Sequence, residues 1–260
     1  MKGLSVIVST ALLQIKSSLA RPMFRFCLLA NPVVNTVLLY EMFVNSERED
    51  FLSYVVLGAG LMALWSCICF SSAGDINRER YNGTLSLIYT APAGFRTIIA
   101  GKVAGNTFLS MITFLLSFAT AKLLFDVRME VTHPIYLLLA LVCTIGSFSV
   151  ISIFLAYLLT LSRKTQLYMN CIEIPVILVC GFVFPAEILP VFIRPVSYIL
   201  SPTWAVKLLR LSVSDSWNIR EYLLTLLILA AVTGLYILLG HFLAAVIERQ
   251  VRIAATLEVS

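Results

Sequence analysis

Residues 135–161 of the chain read IYLLLALVCTIGSFSVISIFLAYLLTL. These 27 residues contain no charged side chain, and the basic turn 162–166 follows them. About 20 mostly apolar residues in a helix are enough to cross the hydrocarbon core of a bilayer, because each residue adds about 1.5 Å. The stretch therefore predicts a transmembrane helix, and further stretches of this kind would make the protein polytopic.

The composition of the whole chain agrees with this interpretation. Of its 260 residues, 60% are hydrophobic and only 13% are charged, and the mean hydropathy is +0.94. Soluble domains are usually about 45–50% apolar and about 25% charged, because polar side chains cover their surface. The composition excludes a disordered chain, an ordinary cytosolic enzyme and a nucleic-acid-binding domain, so no nucleic acid is expected as a partner.

Six stretches of the chain are long and apolar enough to be spans. We predict an all-α membrane protein with a cytoplasmic interfacial amphipathic helix in residues 1–22 and a six-helix transmembrane domain in residues 23–260. The predicted spans are about 23–44, 51–73, 97–122, 135–161, 167–184 and 221–244. Two longer connections remain, a polar segment at 74–96 and a proline-rich segment at 185–220.

The first residues predict a helix that lies in the membrane interface. Between residues 3 and 20, apolar side chains recur at helical spacing and Lys16 lies on the opposite face, until Pro22 ends the pattern. A secretory signal peptide is the alternative, since residues 18–20 resemble a cleavage site. Gln14 and Lys16 interrupt the apolar core that such a peptide needs, which favours the interfacial helix.

The basic residues set the expected orientation. Cytoplasmic segments of membrane proteins carry an excess of Lys and Arg. With the N-terminus inside, 12 of the 19 basic residues fall in cytoplasmic segments, and both termini and the 74–96 segment are cytoplasmic. Asn82-Gly83-Thr84 matches the N-glycosylation pattern, which would place this segment outside, but two arginines lie within four residues of it. We expect a multi-pass protein of a bacterial cell membrane.

The patterns of membrane enzymes are missing from the sequence. It has no His-Glu-x-x-His zinc helix and no Gly-x-Ser-x-Gly nucleophile turn. Gly101-Lys102 resembles the end of a phosphate-binding loop, but Arg96 stands where that loop needs glycine and Val103 where it needs Ser or Thr. The six cysteines lack metal-ligand spacing. We predict no catalytic residue, metal or cofactor in this chain, so energy for uphill transport comes from ions or from a partner subunit.

The segment 74–96, GDINRERYNGTLSLIYTAPAGFR, carries the most specific pattern. A charged opening that begins at Asp75 and includes residues 78–80 is followed by Gly83-Thr84, a short apolar run from Leu85 to Tyr89, and a stop at Pro92. The order predicts a helix that runs past the membrane surface, a break, and a short helix along the surface. A solvated loop is the alternative, but it does not explain an apolar turn flanked by charges, which is typical of a docking surface.

This string resembles the membrane (permease) subunits of type-2 ABC exporters, also called ABC-2 type transporters. In that family an Arg-Glu-Arg-like stretch leads into Gly-Thr-Leu and then into Thr-x-Pro before the third span. The matching residues of this chain are Arg78, Glu79, Arg80, Gly83, Thr84, Leu85, Thr90 and Pro92. Ser86 departs from the pattern, because family members often carry a glutamate there, and this puts one contact to the ATPase in doubt.

The resemblance covers most of the chain. The amphipathic start is similar to the interfacial gate helix of the family, and six spans match its topology. Phe182, Phe184 and Pro185 lie in a stretch similar to the family's external turn, which implies an external gate. The segment 185–220 looks like two short re-entrant external helices, which act either as a lid over the outward exit or as a structural cap.

The resemblance also implies a mechanism and partners. Two membrane subunits pair as a homodimer or heterodimer, and each docks on an ABC ATPase that is a separate chain and holds ATP and Mg. The short helix after the second span, the coupling helix, enters a groove of that ATPase. The implied coupling residues are Arg78, Glu79, Arg80, Gly83, Thr84, Leu85, Tyr89, Thr90 and Pro92. We expect Leu85 and Tyr89 to be anchors buried in the ATPase, with the charges as a rim that gives specificity.

Four polar residues interrupt the first and fifth spans and are candidates for a substrate path or gate: Asn31, Asn35, Asn170 and Glu173. An unpaired charge at the middle of a bilayer costs about 2.5–3.5 kcal/mol, so such a residue should face another helix or a water-filled path. Three interpretations of Glu173 remain open: a packing contact, a wall of the path or gate, and a proton relay.

The sequence as a whole predicts the transmembrane subunit of an ATP-driven exporter. Six spans form apolar walls with few fixed charges, which suit a hydrophobic or amphipathic substrate, such as a drug-like compound, a lipid, a lipid-linked sugar or a peptide. One alternative is an ion-coupled secondary transporter that uses Glu173. The other alternative is a membrane-integral scaffold protein or an enzyme that acts on lipids.

Overall fold

The structure, a computed structural model, describes residues 2–44, 53–125, 133–161, 165–184, 188–214 and 218–254. Within these ranges the chain is helical and contains no strand. The α-helices are α1 (Lys2–Leu19), α2 (Pro22–Phe43), α3 (Gly58–Tyr81), α4 (Leu85–Thr90), α5 (Phe95–Phe125), α6 (Pro134–Thr160), α7 (Thr165–Val179), α8 (Arg194–Ile199), α9 (Ser201–Val213) and α10 (Ile219–Ala254). A π-helical turn, Ser53–Leu57, leads into α3.

Four helices in the described part of the chain are long and apolar enough to cross a bilayer. Their apolar segments are Phe24–Phe43, Phe95–Phe125, Pro134–Thr160 and Ile219–Arg249, which match the predicted first, third, fourth and sixth spans. The predicted second and fifth spans contain the shorter apolar segments Val55–Ile68 and Leu167–Val179. The prediction of an all-helical membrane protein is confirmed for the described residues, whereas the number of six spans stays a prediction.

α3 runs through the centre of the bundle. Trp65 on this helix is 0% exposed and meets Phe148 of α6 edge-on, with ring centroids 5.4 Å apart. Phe182, which follows α7, belongs to the same aromatic cluster, and its ring centroid lies 6.0 Å from that of Phe148. A helix surrounded by other helices is apolar on all sides, which explains why α3 lacks an amphipathic pattern in this part.

α1 packs closely along α5. A Cβ atom at Gly105 would lie 2.6 Å from the backbone oxygen of Ala11, and one at Gly101 would lie 2.9 Å from that of Ile7. Small residues four positions apart let two helices approach in this way, as in pairs of membrane helices. The opposite side of α1 leaves apolar side chains such as Leu12 uncovered. The placement of this helix in the membrane interface stays a prediction.

The predicted external segment contains the short helices α8 and α9. α9 packs against α6 and α10, and its residues Ala205, Leu208 and Leu209 are 0% exposed. Arg210 at its C-terminal end donates a hydrogen bond to the backbone oxygen of Phe182 at 2.9 Å. The buried face of α9 is therefore part of the core of the bundle.

Candidate coupling site and membrane cavity

The chain turns sharply between α3 and α4. α3 continues past its predicted span and ends at Tyr81, and the Thr84 N–H then donates to the Glu79 oxygen at 2.9 Å. Gly83 has a φ of +68° and Gly94, just before α5, has a φ of +75°. Glycine adopts this left-handed conformation without the steric cost that other residues incur. The long helix, the break and the short helix that the sequence predicts for the 74–96 segment are therefore all present.

One side of α4 is held against the rest of the chain. Leu85 is only 2% exposed, and the Tyr89 ring stacks on Phe95 with centroids 4.7 Å apart. Phe95 in turn lies 5.7 Å from the ring of Tyr157 on α6. Burial raises the pKa of the Tyr89 hydroxyl above its usual range. Leu85 and Tyr89 are thus anchors within this chain, whereas the sequence led us to expect anchors that enter the partner.

The other side of α4 and the end of α3 are uncovered. Leu87 is 65% exposed and Tyr81 is 91% exposed. Gly83, Thr90 and Pro92 are exposed as well. Large apolar side chains that stay uncovered among polar residues are typical of a contact surface. We call these five residues the docking face.

Glu79 connects the break to α5. Its carboxylate accepts hydrogen bonds from the Lys102 ammonium of α5 and from the Thr84 hydroxyl. Burial alone would raise the pKa of Glu79, but the hydrogen bonds from Lys102 and Thr84 and the charges of Lys102 and Arg78 outweigh it, so this pKa is lower than usual. Glu79 is therefore ionised at neutral pH and ties the end of α3 to α5.

Acidification should weaken this tie. Because the pKa of Glu79 is lower in the folded protein than in the unfolded chain, its stabilising effect is present above the ordinary pKa of 4.5 and is lost as the pH falls through the folded-state pKa. We expect Glu79→Gln to lower the melting temperature in lipid nanodiscs at pH 7, and the difference from the wild type to shrink at about pH 4. Glu41→Gln, at an exposed position of α2, serves as the control. An equal difference at both pH values would contradict the assignment.

Two arginines join this end of the bundle to α6 and α10. Arg80 donates to the backbone oxygen of Thr160, the last residue of α6, at 2.6 Å. Arg96 at the start of α5 donates twice to the Glu248 carboxylate of α10, at 2.9 and 3.2 Å. A bidentate pair of this kind fixes the relative orientation of its two helices. α4 therefore lies next to a frame made by α3, α5, α6 and α10.

A buried cluster of polar side chains lies on α3 just before the residues predicted for coupling. The Asp75 carboxylate, in a residue that is 2% exposed, accepts hydrogen bonds from Asn106 of α5 at 2.8 Å, from Arg78 at 2.8 Å and from Gln14 of α1. Arg21, between α1 and α2, reaches the same carboxylate at 3.5 Å. We call these five residues the polar hub, and it joins α1, α3 and α5 through one acceptor group.

A second polar site lies among the helices of the bundle. A cavity of about 100 Å³ lies between α2, α3, α5 and α7. Its walls include Asn31 and Glu173, together with Ser66, Thr113 and Phe24. The structure therefore brings together two of the four residues that the sequence suggests for a path or gate.

The other predicted path and gate residues do not line this cavity. Asn35 is partly buried on α2, and Asn170 on α7 is exposed. Phe182 is 0% exposed in the aromatic core, and Phe184 packs against the same core. Pro185 lies outside the described residues. The external gate stays a prediction.

Most of the chain matches the model of a known protein family. The model of the family described as "ABC-2 family transporter protein" matches residues 4–242. The chain belongs to the ABC-2 transporter family. The family predicted from the sequence is thereby confirmed. No curated protein matches the chain with significant similarity.

Membership in the ABC-2 family defines the general role of the chain. Members of the family are membrane transport subunits, typically without an ATP site of their own, and membership implies an ABC ATPase as partner. This ABC-2 protein is accordingly a multi-pass permease subunit of an ABC transporter. The docking face, the polar hub and the cavity all lie in the matched region.

Sequence reasoning missed the polar hub of this ABC-2 permease. In the sequence, Asp75 is one of several charges at the start of the 74–96 segment, Gln14 interrupts an amphipathic pattern, and nothing singles out Asn106. The available signal was the spacing of Gly101 and Gly105, which indicates a helix that lies close to α5. That helix is α1, which carries Gln14 toward Asn106 and Asp75.

Proposed function

We propose that this permease docks on an ABC ATPase through α4 and uses ATP hydrolysis there to export an amphipathic substrate from the cytoplasm. The observation that carries the proposal is that α4 has two different sides. Leu85 and Tyr89 fix one side to the bundle, while Leu87 and Tyr81 leave the other side open to a partner. ATP and Mg bind to the ATPase chain, and the permease supplies no ligand for them.

The contacts around α4 support mechanical coupling. Thr84, Glu79 and Lys102 connect the break after α3 to α5, and Arg80 connects α3 to the end of α6. Hydrogen bonds to charged groups contribute about 1.5–3 kcal/mol each, so the break resists bending. In this proposal, closure of the ATPases pushes α4, and α3 and α5 shift with it. This shift moves the bundle from one of two conformations to the other, one open to the inside and one open to the outside.

The polar hub extends this coupling to α1. Gln14 of α1 bonds to Asp75 of α3 and to Asn106 of α5 at 3.1 Å, while the two glycines of α5 keep α1 close. A displacement of α3 cannot leave α1 behind without leaving buried polar groups unpaired, which costs about 1–3 kcal/mol for each group. We propose that α1 acts as the cytoplasmic gate helix for this reason.

We further propose that α3 and α7 are the two remaining spans. α3 has 24 residues, enough for about 36 Å, and its polar last turns continue beyond the bilayer toward α4. α7 is shorter, and the chain continues from it into the buried residues 180–183. Six spans place both termini on the same side, which is the cytoplasmic side of a bacterial membrane in this proposal, together with α4.

A second membrane subunit, identical or different, completes the proposed transporter. Side chains on the outer faces of α2 and α7, among them Leu38, Ile174 and Leu178, are 44–63% exposed in the single chain. Apolar surface of this extent is covered either by lipid or by another subunit. The homodimer and the heterodimer both satisfy this requirement.

Leu87→Glu tests the docking proposal. The substitution places a charge on the docking face without touching the buried side of α4, so the fold should be kept while binding of the ATPase weakens. We expect at least tenfold less of the ABC ATPase to co-purify with the variant than with the wild-type chain. A tenfold loss corresponds to about 1.4 kcal/mol, which is typical for one residue of an interface.

Leu123→Glu is the matched control for this experiment. Leu123 is 83% exposed and lies at the far end of α5, so the same chemical change is made away from the docking face. Co-purification should be unchanged in this variant. Equal recovery of the ATPase with Leu87→Glu and with the wild type would remove the docking proposal, as would the absence of any ABC ATPase from the purified assembly.

Energy coupling separates the exporter from an ion-coupled secondary transporter. The alternative draws support from Glu173, because a carboxylate that lines a cavity is what a proton or sodium site requires. Transport into inside-out vesicles should require ATP and survive a protonophore if the proposal is correct. Transport without ATP that collapses with the protonophore would favour the alternative.

A further inference from the structure

Glu173 has no counter-ion in the part of the chain that the structure describes. The carboxylate makes no ion pair and no hydrogen bond there, and no Lys, Arg or His is among the residues that line the cavity. A charge in the hydrocarbon region is expensive unless it is neutralised or paired. Among the described residues that line the cavity, none supplies a positive charge to balance Glu173.

The remaining walls of the cavity indicate what kind of cation fits. Phe24 and Leu28, which are 5% and 6% exposed, line the cavity, and the Phe24 ring already attracts one cation, because the guanidinium carbon of Arg21 lies 5.2 Å from the ring centroid. The face of an aromatic ring attracts ammonium groups, and quaternary ammonium compounds are recognised in this way. Asn31 adds an amide group. A divalent metal ion is usually held by several carboxylates and other oxygen ligands, whereas Glu173 is the one carboxylate among the described residues that line the cavity.

The size of the cavity limits the part of the ligand that enters. Sites for whole drug-sized molecules measure about 300–1,000 Å³, whereas this cavity measures about 100 Å³. It has room for a substituted ammonium group and not for a long apolar tail. Pro175, two residues after Glu173, removes one hydrogen bond inside α7 and loosens that wall.

We propose that the cargo of this permease is a lipophilic cation whose ammonium group binds in this cavity, with Glu173 as its counter-ion. The inference rests on the proposed transport function and specifies the substrate class. The apolar remainder of the ligand extends out of the cavity, because a volume of about 100 Å³ has no room for it.

The native cysteines provide a direct test. Cys27 lines the cavity, while Cys171 is exposed elsewhere on α7. In nanodiscs without ATPase, we would measure the rate at which N-ethylmaleimide labels a full-length variant in which either Cys27 or Cys171 is the only one of the six cysteines left. Benzyltrimethylammonium should slow labelling of Cys27 and leave Cys171 unaffected. Its uncharged isostere neopentylbenzene should protect Cys27 at least tenfold less well at equal concentration.

Substitutions at Glu173 identify the counter-ion. The concentration of benzyltrimethylammonium for half-protection of Cys27 should rise at least tenfold in Glu173→Gln. It should change less than threefold in Glu173→Asp, which keeps the charge, and in Glu41→Gln, which changes an exposed carboxylate of α2. Protection that is equal for the cation and its isostere would overturn the proposal. Protection that is unaffected by Glu173→Gln, or that is lost equally in Gln and Asp, would do the same. Because no ATPase takes part, these outcomes are independent of whether Leu87 docks one.

Discussion

Asp75→Ala should lower the free energy of unfolding by about 3–5 kcal/mol, the usual cost of removing one partner from a buried ion pair. The carboxylate is the common acceptor for Arg78, Asn106 and Gln14, and Arg21 approaches it as well. Its removal leaves buried donors without a partner on three helices at once. In thermal melts of the permease in nanodiscs, this loss should lower the melting temperature by roughly 6–20 °C.

A conservative substitution and a control separate charge from shape. Asp75→Asn keeps an oxygen acceptor of similar size and should lose less stability than Asp75→Ala, because Gln14 and Asn106 can still donate to it. Glu41→Ala removes a carboxylate that is exposed on α2 and should leave the melt unchanged. If the Asp75→Ala variant melted at the same temperature as the wild type, the polar hub would not stabilise the bundle.

Gly105→Ala should destabilise the permease by about 1–3 kcal/mol, the range observed for overpacked contacts. The added Cβ atom would lie 2.6 Å from the backbone oxygen of Ala11, and backbone cannot move aside as a flexible side chain can. α1 then has to shift away from α5, which lengthens the hydrogen bonds of Gln14 in the polar hub. Thermal melts measure the loss, and faster proteolysis of α1 would report its detachment.

Gly146→Ala is the matched control for this prediction. Gly146 lies in α6, and a Cβ atom added there has no neighbour within 4 Å. Alanine is a better helix former than glycine by about 0.8–1 kcal/mol, so this variant should be as stable as the wild type or slightly more stable. If the two variants behaved alike, the close packing of α1 on α5 would be refuted.

The position of α4 could be read from the sequence because its signals are local. Gly83 and Pro92 interrupt helices through their own backbone chemistry, and the apolar run between them is too short to span a bilayer. Which side of α4 is exposed could not be predicted from the sequence in the same way. Leu85 and Leu87 have the same side chain and lie two residues apart, and only the packing of α4 on the bundle buries one and leaves the other 65% exposed.

The two polar sites differ in the same respect. Asp75 and Glu173 were visible in the sequence as charges within or beside apolar stretches, and the cost of isolated charges indicates that each has a partner. Their partners could not be assigned, because helices that are apolar on all sides have no polar face to indicate which neighbour they meet. That Asn31 and Glu173 line the same cavity, and that Gln14 bonds to Asp75, depends on which helices are adjacent.

By itself the sequence determined that the protein is a helical membrane protein, where its main spans lie, and that a short helix follows the central one. These properties depend on hydropathy summed over about 20 residues and on glycine and proline at single positions. Only the tertiary structure decided which leucine of α4 faces outward, that α1 belongs to the bundle, and which polar side chains meet. Each of those outcomes is a contact between distant segments, and its energy depends on shape and distance that no local pattern encodes.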